Sequence, residues 1–113
     1  MKDLLDFLIK KAKKEEKFFK NPQKYALLIK KEAQKMLKKP KVYLFGSILK
    51  KNEIPRDIDV LVISEDFKKK EKKRDFIFKV LEKLKSDVFE IHCITPEEYK
   101  NWYSFFIKRK KRV

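Results

Sequence analysis

Asp57 and Asp59 stand one residue apart at the head of an apolar run, Val60-Leu61-Val62-Ile63. In extended chain the side chains repeat with period two, so both carboxylates fall on one face with Cβ atoms roughly 6–7 Å apart. Like charges that close repel, and apolar neighbours lower the local dielectric. A divalent cation relieves the repulsion, and carboxylate oxygens suit Mg²⁺ held jointly with substrate phosphates. Upstream, a second apolar run, Val42-Tyr43-Leu44-Phe45, stops at Gly46-Ser47. Gly46 is the one glycine in the chain, placed where backbone must take an unusual dihedral or admit a ligand closely. Amides in such a turn can hold phosphate. Together the two features describe a nucleotide site. The plain alternatives are a strand-to-helix turn with Ser47 as N-cap, and two solvated acids at a strand entry with Asp57 paired to Arg56.

The elements that must position these groups follow from periodicity. Residues 3–19 read as a helix, with Leu5, Leu8, Ile9, Ala12 and Phe19 near one face and Asp3 as a cap. Asn21-Pro22 starts a second helix, which carries Tyr25, Leu28, Ile29, Ala33, Met36 and Leu37 at helical spacing and ends by Pro40. Lys41 to Phe45 is a first strand; Arg56 or Asp57 through Ile63 is a second, after one short helical turn in 47–52. A charged connection leads to a helix with Phe76, Ile77, Val80, Leu81 and Leu84 as its stripe. Val88 to Ile94 is a third strand, with Phe89, Ile91 and Cys93 on one face and Glu90 and His92 on the other. Thr95-Pro96-Glu97-Glu98 is a capping box opening a helix that runs through Tyr99, Trp102, Tyr103, Phe105 and Phe106 into the basic tail. The order is that of an α+β domain, a short mixed sheet with helices packed on one face and the other face free for a site.

One domain is expected over 1–113, with N-terminal helices in 1–39, a sheet core in 41–94 and a C-terminal helix over 96–113. Hydrophobic residues at 42% argue for a folded chain although 43% of residues are charged. No apolar run approaches the ~20 residues of a membrane span, no signal peptide is evident, and the lone Cys93 permits no internal disulfide, so a cytoplasmic setting is expected. The net charge of +15 implies attraction to nucleic acid, nucleotide phosphates or an acidic partner. Because lysines decorate every helix, a Lys/Glu-rich thermostable surface accounts for most of that charge.

Gly46-Ser47, nine residues, then Asp57-Ile58-Asp59 and an apolar run resembles the signature of the DNA polymerase β-like nucleotidyltransferases. In size and layout the chain is most similar to their small, minimal members. The resemblance implies a pol β-like fold; Mg²⁺, in a two-metal site or replaced by Mn²⁺, on Asp57, Asp59 and a third carboxylate; and a nucleoside triphosphate whose phosphates lie on Gly46 and Ser47. Glu90 is the candidate third carboxylate, with Asp87 as fallback. Lys50, Lys51 and Arg56 bracket the site and can offset triphosphate charge. Many minimal members carry Arg and Gly after Gly-Ser and a Ser before the first Asp; this chain has Leu49-Lys50-Lys51-Asn52 and Arg56 instead. Lysine lacks the bidentate fork of arginine. The implied activity is transfer of a nucleoside monophosphate, AMP from ATP, to an acceptor hydroxyl, and the implied partner is a small helical HEPN-type protein toward which such chains serve as antitoxins. The alternative is a catalytically weak module of the same fold that acts by binding a partner protein or nucleic acid, and either reading allows an oligomer. The five aromatics of 99–106 serve core packing by their spacing, or base stacking if exposed.

Overall fold

The structure is a computed structural model describing residues 2–113. Two helices, α1 (Lys2–Lys20) and α2 (Pro22–Met36), precede strand β1 (Lys41–Phe45) and a 3₁₀ turn at Gly46–Leu49. Strand β2 (Ile58–Ile63), a second 3₁₀ turn (Glu65–Lys68), helix α3 (Lys70–Leu84) and strand β3 (Phe89–Ile94) follow. A continuous helical segment comes next: α4 (Pro96–Glu98), a π turn (Tyr99–Tyr103) and α5 (Ser104–Phe106). Strand β4 (Lys110–Arg112) ends the chain. The sheet order is β3-β2-β1-β4, with β2 and β3 parallel and the other pairs antiparallel. This is the expected α+β architecture with a short mixed sheet.

Alternation along the strands divides the apolar residues between two cores. Val42, Leu44, Ile58, Val60, Val62, Phe89 and Cys93 point to the face covered by α1, α2 and α3, where they meet Phe18, Ile29 and Phe76. Leu61, Ile63 and Ile94 point the other way, against Ile107, Tyr99 and Tyr103. The second face is therefore not wholly free: the C-terminal helical segment covers part of it. The capping box forms as expected, Thr95 Oγ1 accepting from the Glu98 N–H and Glu98 Oε1 from the Thr95 N–H. At α2, Asn21 holds the cap position but its side chain makes no capping hydrogen bond.

Three expectations need correction. The C-terminal helix does not run over 96–113; it ends at Phe106, and the basic tail becomes β4. Helix propensity loses here to the unpaired edge of β1, whose N–H and C=O groups need partners. Tyr43, Leu44 and Phe45 pair with Arg112, Lys111 and Lys110, and the buried Val113 donates its N–H to Val42 O at 3.0 Å. The apolar stripe of α1 does not reach the core in its first half: Leu5, Leu8 and Ile9 are exposed with Leu4 and Phe7, and among the described residues of this helix only Phe18 is buried. Asp3 lies within the first turn of α1 and does not precede it.

Glu32 on α2 is 4% exposed and bonds the Lys83 ammonium on α3 at 2.7 Å. That bond holds its carboxyl below the usual carboxylate range, against the opposing effect of burial. A carboxyl lowered in the folded state contributes stability that is present above its unfolded value, about 4.3, and is lost as pH falls through the lowered one. Lys83→Met leaves the buried carboxylate only the longer 3.9 Å contact with Lys35, so thermal unfolding should show a melting temperature several degrees lower at pH 7. The deficit should shrink as pH falls through that lowered value, where the carboxyl becomes protonated in the wild type as well.

Candidate active site

The chain leaves β1 at Phe45 and turns at Gly46 with φ +80°, the left-handed region that glycine alone enters freely. Phe45 pairs with Asp59 across β1 and β2; Asp59 pairs with Glu90, and Leu61 with His92, across β2 and β3. Parallel register thus sets Asp59 beside Glu90, with His92 two residues further along the same face. Ligand atoms of Asp59, Glu90 and His92 all lie within 4.8 Å of one another. His92 Nε2 is 3.3 Å from Asp59 Oδ1 and 3.7 Å from Glu90 Oε1. The imidazole is oriented by edge-on contacts with Phe45 and Tyr103, at 5.0 and 6.2 Å between ring centres.

Gly46 and Asp59 are in immediate contact. A Cβ built on Gly46 would collide with Asp59 Oδ2 and stand 3.2 Å from its Cγ. The glycine therefore has two reasons to be one: its dihedral and the carboxylate pressed against it. Burial pushes the Asp59 carboxyl above the usual range; the His92 hydrogen bond opposes this, and the charges of Asp57 and Glu90 reinforce it. Asp59 is thus an ionisable group with too little compensation of its own.

The remaining sequence candidates are placed unequally. Asp57 precedes β2 in a bend, because Pro55-Arg56 delays the strand to Ile58. Its charge acts on Asp59, but it is not in the three-residue group. Arg56 makes no ion pair with it among the described residues. Ser47 lies in the 3₁₀ turn, its C=O accepting the Lys50 N–H at 3.0 Å. The Lys50 ammonium is 3.5 Å from Glu53, and Lys51 and Arg56 are exposed. Asp87 sits on the α1 side, 3.9 Å from Lys11, so Glu90 is the carboxylate brought to Asp59. His92 is central here, although in the sequence a lone histidine on the Glu90 face reads more readily as structural than as a hydrogen-bond partner of Glu90 or of phosphate. Its shared face with Glu90 was readable from alternation; the parallel pairing that carries both to Asp59 was not.

Two carboxylates and an imidazole nitrogen fit a divalent cation. The oxygens suit Mg²⁺ or Mn²⁺, and the nitrogen favours the latter.

A family model, described as a family of unknown function (DUF6932), matches residues 11–113. The chain belongs to that family. The DUF6932 chain is also similar to the crystal structure of a "putative nucleotidyltransferase", with 31% identity and a TM-score of 0.65 over 75% of this chain and 92% of that one. It therefore has a nucleotidyltransferase-like fold. No curated protein matches it.

Proposed function

We propose that this DUF6932 chain is a metal-dependent nucleotidyltransferase that moves a nucleoside monophosphate, AMP from ATP, to an acceptor hydroxyl. The observation that carries the reading is the register setting Asp59 beside Glu90 against the Gly46 turn. Asp59, Glu90 and His92 would hold the cation, with Asp57 adding charge from the strand entry. Bound there, Mg²⁺ or Mn²⁺ would supply neutralisation of phosphate charge.

The chain's own groups divide the remaining work. Amides of Gly46 and Ser47, with the Ser47 hydroxyl, bind the β- and γ-phosphates, and Lys51 and Arg56 flank them; Lys50 must first leave Glu53. The acceptor oxygen bonds to the α-phosphorus, the bond from that phosphorus to the bridging oxygen breaks, and pyrophosphate leaves with the electron pair. The hydroxyl proton passes to Glu90, whose side chain at 57% exposure is open to an incoming group. Catalysis is then mainly positioning and charge neutralisation.

The acceptor we favour is a hydroxyl of a helical HEPN-type partner in a cytoplasmic toxin–antitoxin pair. Supporting it are apolar side chains exposed on helices, Leu4, Leu5, Phe7 and Leu8 on α1 and Trp102, Phe105 and Phe106 near the C-terminus. Incubation with α-³²P-labelled ATP, Mg²⁺ or Mn²⁺ and such a partner should label the partner and release pyrophosphate. No transfer to partner, nucleic acid or itself under either metal, with no ATP binding by calorimetry, sinks the proposal.

One observation favours a second reading, the catalytically weak binding module. His92 stands beside both carboxylates, so that an imidazole N–H directed at Asp59 would satisfy it without a cation. Metal-independent partner binding, with no Mg²⁺-dependent nucleotide binding, would decide for it.

A further inference from the structure

On the same sheet face, at the opposite end of the strands from Asp59, lies a groove of about 830 Å³ lined by Lys38, Lys39, Lys41, Tyr43, Ser64 and Tyr99 among others. β1 carries Lys41 and Tyr43 into it and Phe45 to the acid cluster. From Lys41 to Phe45 is roughly 13 Å at strand rise. None of its lining residues is in the acid cluster.

The lysine loop between α2 and β1 is built and held. Ser64 Oγ donates to Lys38 O at 2.9 Å, and the Lys38 N–H donates to Asp66 Oδ2 at 2.9 Å. Lys39 takes φ +44°, left-handed backbone that disfavours a residue bearing a Cβ. The ammonium groups of Lys38, Lys39 and Lys41 have no carboxylate within ion-pair distance among the described residues. Two further cations, outside the groove's lining, lie against its tyrosines. Lys110 Nζ lies 5.2 Å from the Tyr43 ring centre and 5.3 Å from that of Tyr99, and Arg112 lies 5.6 Å from Tyr43. Glu65 is the one acid lining the groove.

Five cations around two half-buried aromatic rings complement a phosphate that carries a planar base. We propose that this groove binds a nucleotide, its phosphate on the Lys38–Lys41 loop and its base against the Tyr43–Tyr99 wall, either as a unit of a single strand or free. The site stands apart from the transferase reading and needs no metal.

Fluorescence anisotropy with a 5′-fluorescein single-stranded 12-mer, in EDTA, tests it. Lys39→Glu with Lys41→Glu should weaken binding tenfold or more, and lower the slope of log affinity against log salt by about 1.4, the share of two phosphate contacts. Lys13→Glu with Lys14→Glu on exposed α1 changes net charge equally and should weaken binding less than about threefold, since charge alone acts through long-range attraction. Asp59→Asn should leave the affinity unchanged. Competition by AMP assigns the groove to a free nucleotide, and competition only by unlabelled oligonucleotide assigns it to a strand; both support the proposal. Equal losses in the two lysine pairs, no loss at Lys39 and Lys41, or loss in Asp59→Asn overturns it. Melting curves of each variant exclude misfolding as the cause.

Discussion

Asp59→Asn should lower nucleotidyl transfer by on the order of 10³-fold while making the metal-free protein harder to unfold. The two effects have one cause. Asp59 is 18% exposed, and burial, with the charges of Asp57 and Glu90, raises its carboxyl against the pull of His92. A carboxyl raised in the folded state gives stability that is complete below its unfolded value, about 3.9, and is lost as pH rises through the raised one. At pH 7 in EDTA the ionised side chain therefore weakens the fold, and the neutral amide of the same shape removes that penalty. It also removes the charge that holds the cation, and a cation at the phosphates contributes several kcal/mol to the transition state, which is on the order of 10³ in rate. Two measurements check this: labelled transfer from ATP, and melting temperature with and without Mn²⁺. Wild type should be stabilised by the metal and Asp59→Asn should not. Unchanged transfer removes Asp59 from the chemistry; a variant less stable in EDTA shows that its carboxylate is well compensated after all.

Gly46→Ala should lower transfer by on the order of 10²-fold and, unlike Asp59→Asn, should weaken the fold. An alanine at φ +80° costs about 1–2 kcal/mol of backbone strain. Its methyl must also displace Asp59, whose Cγ and Cβ would stand 3.2 and 3.4 Å away and whose Oδ2 it would meet directly. Displacing a reacting group by about 1 Å costs on the order of 10² in rate. The expected result is a folded variant, several degrees less stable, with transfer down about 100-fold and weakened Mn²⁺ binding. Loss of stability with an unaltered rate would reduce Gly46 to an ordinary turn residue. The test is informative because the same position serves the backbone and the site.

The elements that depend on local pattern were legible in the sequence. Pro22 at the first helical position and the Thr95 capping box start helices because their chemistry acts over three or four residues. The strands were visible because buried runs at 42–45, 58–63 and 89–94 are rich in β-branched and aromatic side chains. Gly46 stood out for its rarity, and its contact with Asp59 supplies the reason. Pattern failed where a partner distant in sequence decided the outcome. Lys110–Arg112 is strand because β1 offers an edge 65 or more residues away, as in the pairing of Phe45 with Lys110.

The sequence by itself determined an α+β chain, a glycine turn after one strand and paired acids at the mouth of another, because these rest on short-range periodicity and on the dihedral freedom of one residue. Only the tertiary structure decided which acids converge. Strand pairing carries Glu90 and His92 to Asp59 across more than thirty residues of chain, leaves Asp57 outside the group, and turns Asp87 toward α1. A one-residue change in that register would reverse every side chain of β3, since alternate residues face opposite sides of the sheet. That is why the candidate site could be proposed from the sequence but the meeting of its third member, His92, with Asp59 could not.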